Sequence, residues 1–269
     1  MYKQIHINWN NKKLAGTIHY PLEEREYGTT KSIYPLVIIC HGFVGSRIGV
    51  NRLFVKTAEE LIKENCIVVR FDYSGCGESE GHYGDTCLDE LIDQTTVVID
   101  YALGLSHVDK ERVFLLGHSL GGATALLTVV RDTCIKHLIM WSAVAKPFED
   151  ITNIVGTNLV RGLGSTNKLD YLGYSFSNKF FESLKKYQPL KELERFTGDV
   201  LLIHGKSDEE IPVAYCTQYN EAFNKRVQGL TNRVEVDSAN HTYSCEQSFR
   251  ELIAKTKEWV SVRTSQQLV

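Results

Sequence analysis

Apolar and polar positions change their period several times along this 269-residue chain, and each change marks an element. Two β-like stretches come first, at residues 4–9 and 14–20. The polar turn Asn10-Asn11, followed by Lys12 and Lys13, joins them as a tight hairpin. A polar loop at 23–31 leads to the apolar run 36–40. Five continuous apolar residues bounded by loop signals predict a strand buried on both faces, as in a parallel sheet. From there strand and helix signals take turns. Phe54, Val55, Ala58, Leu61 and Ile62 keep helical spacing, and residues 66–71 read as a second buried strand. Leu88, Leu91, Ile92, Val98, Ile99, Ala102 and Leu103 mark one face of a long helix. Strands are expected at 113–116, 138–141, 200–203 and 233–236. A helix is expected from Val213, and a closing helix carries Phe249, Leu252, Ile253, Trp259 and Val260. The alternation predicts an α/β fold: a mostly parallel, doubly wound sheet with helices on both faces and an antiparallel hairpin at its start.

One segment breaks this rhythm. Residues 146–188 lie between two strand signals and are too many for a simple crossover. They carry Phe148, Tyr171, Tyr174, Phe176, Phe180, Phe181 and Tyr187. Long insertions in compact domains are usually lids or binding loops, so a small cap is expected here.

The chemistry starts at Gly117-His118-Ser119-Leu120-Gly121, which follows the strand signal 113–116 and opens a small-residue helix at Gly122-Ala123-Thr124-Ala125. Strand, sharp turn, helix is the context of a nucleophile elbow. The turn holds its serine in a strained backbone conformation, and Gly117 and Gly121 fit where a side chain would collide with the strand or the helix. The motif points to a hydrolase or an acyl transferase with Ser119 as nucleophile.

A serine hydroxyl needs a base, and the base needs an acid to fix its tautomer. On such a sheet the order along the chain is Ser, then Asp or Glu, then His. Of nine histidines, His241 alone follows both a plausible acid and the last strand. His118 lies inside the elbow and is expected to point away from Ser119. His41 and His204 end strands before glycines and are expected to shape loops. The acid is sought in the loop after Gly205, where Asp208 is placed ahead of Glu209, Glu210 and Asp237. Glu209 and Glu210 are expected to be solvated or to cap the next helix. The oxyanion calls for two backbone N–H donors, expected from Leu120 and Phe43, with Gly42 letting the backbone approach.

Composition narrows the setting. The chain can form one large domain over 1–269; 43% hydrophobic and 23% charged residues are ordinary for a globular protein. A net charge of −3 gives no reason to expect nucleic acid or a membrane as partner. No segment approaches the roughly 20 apolar residues of a span, and the first residues lack an apolar signal core, so a cytoplasmic protein is expected. Seven cysteines, scattered and without a Cys-x-x-Cys pair, read as reduced thiols. Cys40 and Cys66 are expected in the core, and Cys245 in helix packing. No cofactor and no metal are called for. The expected partner is a small-molecule ester; a homodimer is left open.

With Ser119, Asp208 and His241 in order, the chain resembles the α/β-hydrolase fold superfamily over roughly residues 14–260. Within it, His41-Gly42-Phe43, the run from Arg70-Phe71-Asp72-Tyr73 to Gly81, the elbow, His204-Gly205 with Asp208, and Ala239-Asn240-His241 resemble bacterial feruloyl (cinnamoyl) esterase-like carboxylesterases. The resemblance implies an α/β-hydrolase fold with a cap insertion at about 146–188 and hydrolysis of hydroxycinnamoyl or other small acyl esters. Leu120 stands where those esterases often carry glutamine, and Asn240 where they usually carry aspartate. The cap sequence has no clear match; Asp150, Tyr171 and Tyr174 are its candidates for binding an acyl hydroxyl. Thioesterase, peptidase, lipase and carbon–carbon hydrolase chemistry share the triad. A thioesterase would call for a basic rim and a lipase for a more apolar lid. A non-catalytic binding protein on this fold commonly lacks a triad member, and this chain has all three.

Overall fold

The computed structural model describes residues 2–21, 33–131, 134–166 and 168–265, with side chains of 164–166 left aside. The expected polar loop at 23–31 lies outside the described residues. In chain order the elements begin with β1 (Tyr2–Trp9), β2 (Lys12–His19), β3 (Tyr34–Cys40), α1 (Leu53–Leu61), β4 (Ile67–Phe71) and α2 (Leu88–Leu103). Next come β5 (Val108–His118), α3 (Leu120–Val129), β6 (His137–Trp141), α4 (Pro147–Val155) and α5 (Thr157–Thr166). The chain continues through β7 (Lys168–Tyr171), β8 (Tyr174–Ser177), α6 (Asn178–Leu184) and α7 (Pro189–Glu192), and closes with β9 (Asp199–Gly205), α8 (Ala214–Phe223), β10 (Thr231–Val236) and α9 (Glu246–Ser265).

The main sheet has eight strands in the order β1-β2-β4-β3-β5-β6-β9-β10. The pairings β1–β2 and β2–β4 are antiparallel; all others are parallel. Asn10 (φ 43°) and Asn11 (φ 62°) both sit in the left-handed region. Two such residues between paired strands match the right-handed twist of a hairpin, and Asn tolerates them better than most residues. In β1 only Ile5, Ile7 and Trp9 are buried, as an edge strand with one covered face requires. By contrast, residues 35–40 of β3 are all buried. Val37 and Ile39 belong to the core on the α1 and α9 face, while Leu36, Ile38 and Cys40 belong to the core on the α2 and α3 face. Each fully buried aliphatic side chain contributes about 1.5–3 kcal/mol relative to exposure, so this two-sided strand fixes the middle of the sheet.

The chain passes from β3 outward to β4 and then back across to β5 on the other side of β3. The crevice beyond the carboxyl ends of the strands at such a reversal is where open α/β sheets bind ligands. The loops after β3, β5, β9 and β10 open at that edge. Between β6 and β9 the chain leaves the main sheet and builds α4, α5, the two-stranded sheet β7–β8 and α6. The hairpin is pinned against the segment Tyr83–Asp85: a Cβ at Gly84 would come within 2.0 Å of the Ser175 carbonyl oxygen. Among the described residues, no helix is long and apolar enough to cross a membrane.

Candidate active site

Ser119 stands between β5 and α3 at φ 59°, ψ −126°, a region that only an over-determined residue occupies. The surrounding contacts determine it. Its N–H donates to the Trp141 carbonyl at 2.9 Å, and its carbonyl accepts from Gly122 (2.9 Å) and Val144 (3.2 Å). No larger residue fits at the flanking glycines. A Cβ at Gly117 would lie 2.2 Å from the Gly121 oxygen, and one at Gly121 would lie 2.4 Å from the carbonyl oxygens of both Cys40 and His41. The elbow thus locks directly onto the end of β3, and the loop after β3 lies beside the serine: a Cβ at Gly42 would meet the Ser119 Cβ at 2.9 Å.

That loop is held from behind. His41 Nε2 accepts the Tyr73 N–H at 3.0 Å, so the proton sits on Nδ1, 2.9 Å from the Gly42 carbonyl. The far end of the loop is tied by a buried ion pair between Arg47 and Asp72, and the Asp72 carboxylate also accepts the Glu78 N–H at 3.0 Å. A salt bridge from Arg47 to Glu78 completes the staple. In the sequence Asp72 stands out only as part of the run from Arg70 to Gly81. Asp72 directly follows the strand run 66–71, apolar but for Arg70, and a carboxylate placed there has to find a cation to be buried. Leu120 is the first residue of α3, so its N–H has no intrahelical acceptor, and the helix dipole adds positive potential at that point.

Asp208 is brought to His241 across the β9–β10 edge. Its Oδ2 lies 2.8 Å from His241 Nδ1 and 3.2 Å from His204 Nε2; its Oδ1 accepts the N–H groups of Glu210 (3.0 Å) and Ile211 (2.8 Å). Burial by itself would push this carboxyl up. The hydrogen bonds from His204 and His241 outweigh it and hold the group well below the usual carboxylate range. His204 therefore does more than shape its loop. Its Nε2 faces both Asp208 and the Ile211 carbonyl (3.0 Å), two acceptors, so that nitrogen carries the proton. His118 lines the same cavity as Ser119 and His241, its ring 4.7 Å from that of His241. Burial lowers its pKa to about 3, which keeps it neutral.

The other acids separate from the pair. Asp237 is exposed and bridges to Lys206 at 2.7 Å. Helix α8 has no side-chain cap at its start, so Glu209 and Glu210 do not cap it. Both are exposed and line the Ser119 cavity, and Glu210 Oε2 is 3.9 Å from His241 Nε2.

The cavity measures about 940 Å³. The aromatic residues of 146–188 divide in a way that composition did not reveal. Phe176, Phe180 and Phe181 are fully buried core residues, whereas Tyr171 and Tyr174 reach the cavity beside Phe43. Phe43 stacks on Tyr171 with ring centres 5.9 Å apart and packs on Phe176 at 5.3 Å. Asp150, a candidate hydroxyl binder, is not among the residues lining this cavity. It accepts from Tyr215 OH at 2.8 Å and from the Lys146 N–H at 2.9 Å. Cys40 and Cys66 are buried and their thiols are pushed up to about 12; Cys245 is exposed and hydrogen-bonds the first turn of α9 instead of packing under it.

Known proteins share this fold. The structure of Est1E from Butyrivibrio proteoclasticus with ferulic acid bound superposes with a TM-score of 0.79 at 23% identity, covering 98% of this chain and 99% of that one. Among curated relatives, the quorum-quenching protein AidA of Acinetobacter baumannii is 26% identical over 168 residues, 61% of this chain and 52% of the relative. A 31.7 kDa Escherichia coli protein of the traX-finO intergenic region is 32% identical over 112 residues, 42% of this chain and 38% of that protein. The chain thus spans about half or less of the curated relatives it matches. A family model, Hydrolase_4, described as serine aminopeptidase S33, matches residues 32–169, which include the loop after β3 and the whole elbow. That match takes in slightly more than half of the chain, and on this fold it makes the protein a member of that α/β-hydrolase family.

Proposed function

We propose that the protein is a serine carboxylesterase acting on small acyl or aromatic, hydroxycinnamoyl-type esters. One observation carries the reading. Ser119, in its strained elbow, shares a cavity with His241, and Nδ1 of His241 is anchored 2.8 Å from the buried carboxylate of Asp208. His241 takes the Ser119 proton as the hydroxyl attacks the ester carbonyl. Asp208 holds the imidazole in the tautomer with its proton on Nδ1 and stabilises the imidazolium. The N–H groups of Phe43 and Leu120 receive the oxyanion. His241 then protonates the leaving alkoxide and activates the water that releases the acid.

The insertion serves as a cap. Tyr171 and Tyr174, with Phe43, give the cavity an aromatic wall, and its volume suits a ligand of hydroxycinnamate size. The likeness to Est1E, whose structure holds ferulic acid, supports the same substrate class. The test is hydrolysis of p-nitrophenyl esters from acetate to decanoate, methyl ferulate and an acyl thioester, with Ser119→Ala alongside. Turnover of methyl ferulate or short esters, reduced by several orders of magnitude in the variant, is the expected result. Ser119→Ala protein that keeps most of the activity overturns the reading.

A further inference from the structure

The leaving-group side of the cavity is acidic. We propose that Glu210, together with Glu209, makes the enzyme favour esters whose alcohol carries a positive charge. The assignment rests on the serine-hydrolase reading and adds to it the class of alcohol.

In that mechanism His241 Nε2 returns its proton to the leaving oxygen, so this oxygen must come within hydrogen-bond reach of Nε2, about 3 Å. Glu210 Oε2 lies 3.9 Å from the same nitrogen. The carboxylate therefore falls within about 7 Å of the leaving oxygen in any productive pose. A cationic group two carbons beyond that oxygen can reach it. The acyl group is assigned elsewhere, against the aromatic wall of Phe43 and the β7–β8 hairpin, because Phe43 also carries a proposed oxyanion N–H.

Charge along this edge is mainly negative. Of the described residues lining the Ser119 cavity, Glu209 and Glu210 are the only Asp, Glu, Lys or Arg side chains. A second cavity of about 460 Å³ adjoins it, sharing Asn153, Glu209 and Glu210. There Glu149 adds a further carboxylate, and Lys146 is the only Lys or Arg among its described lining residues. Asp150 and Asp208 also border it, with their oxygens already engaged. A cleft lined by one sign of charge concentrates ligands of the other sign and repels its own. The same field disfavours anionic leaving groups and favours departure of the product carboxylate.

The test uses two esters of one shape, butyrylcholine and 3,3-dimethylbutyl butyrate, which differ in a quaternary nitrogen against a quaternary carbon. Their kcat/KM ratio cancels any effect of Glu210 on His241 that is common to both substrates. Wild-type protein at low ionic strength is expected to prefer the cationic ester by about fivefold, the size of one or two partly exposed ion pairs. About 0.5 M sodium chloride should shrink that preference. Glu209→Gln with Glu210→Gln should bring the ratio close to one, and Glu210→Lys should reverse it. A wild-type ratio of one or below, or one that the double substitution leaves unmoved, overturns the proposal while p-nitrophenyl butyrate turnover upholds the esterase reading. Protein that hydrolyses none of the three esters overturns the esterase reading, and the proposal with it.

Discussion

His118 donates its Nε2–H to the backbone carbonyl of His241 at 2.8 Å, with the two rings tilted 40° to one another. The partner is a carbonyl, so the proton must be on Nε2. The residue before the candidate nucleophile thereby braces the backbone of the candidate base, 123 positions later in the chain. His118→Phe keeps a ring in place but leaves the His241 carbonyl without its donor. A buried acceptor left unpaired costs about 1–3 kcal/mol, and a misplaced base costs up to about 100-fold in rate. The expected outcome is a fall in kcat larger than the change in KM, with partial rescue by His118→Gln. Equal kcat in wild type and His118→Phe would sink the bracing role.

Gly42→Ala should damage turnover with little damage to the fold. The added Cβ would sit 2.9 Å from the Ser119 Cβ and 3.2 Å from the His118 carbonyl oxygen. Relief of that contact has to move the loop that bears the Phe43 N–H. An oxyanion donor shifted out of line is worth about 100-fold or more in kcat. Steady-state kinetics beside thermal melting separates the two effects: a normal rate in the variant removes Phe43 from the oxyanion role.

The buried pair Arg47–Asp72 gives a stability prediction. Asp72 is fully buried and its pair with Arg47 closes the loop that begins at His41. Arg47→Met leaves the Asp72 carboxylate buried without its cation, at a cost of about 3–5 kcal/mol, whereas Asp72→Leu leaves Arg47 its exposed partner Glu78 and should cost less. The double variant should regain part of that loss, because no charge is stranded. Urea unfolding of all four proteins in a double-mutant cycle measures the coupling. Additive losses would show that the two charges act separately.

Stability should fall with acid earlier than carboxylates alone would make it fall. Burial lowers His118 to about 3 and His137 to about 4, and it also lowers His41. In the unfolded chain these groups protonate near 6.5. Their neutral forms are therefore matched above pH 6.5, and below it the unfolded state gains protons that the folded state refuses. The stability present above pH 6.5 is lost as the pH falls toward 4. Each such histidine removes up to about 1.4 kcal/mol per pH unit in that window. The urea midpoint at pH 5 should lie well below that at pH 7, and His137→Phe should flatten the slope. A midpoint that stays level from pH 7 to 5 contradicts the assignment.

Periodicity along the chain determined the order of strands and helices, because a strand buried on both faces and an amphipathic helix each write their environment into neighbouring residues. The hairpin at Asn10-Asn11 and the elbow at Gly117–Gly121 were legible for the same reason: their backbone demands act within a few positions. Extents were less so. β5 starts at Val108, five residues before its apolar run, because Val108 pairs with Tyr34 across an irregularity in the register that apolar pattern does not record. Tertiary structure alone decided what each long-range neighbour is. It sent Phe176, Phe180 and Phe181 into the core and Tyr171 and Tyr174 to the cavity, although all five share one short stretch. It gave Asp208 a second histidine, set His118 under His241, drew Asp150 away to Tyr215 and brought Glu210 to 3.9 Å from His241 Nε2. These are distances between segments up to 123 residues apart. Local pattern carries no measure of such distances, since they are fixed only when both faces of the sheet are packed and its strand ends align.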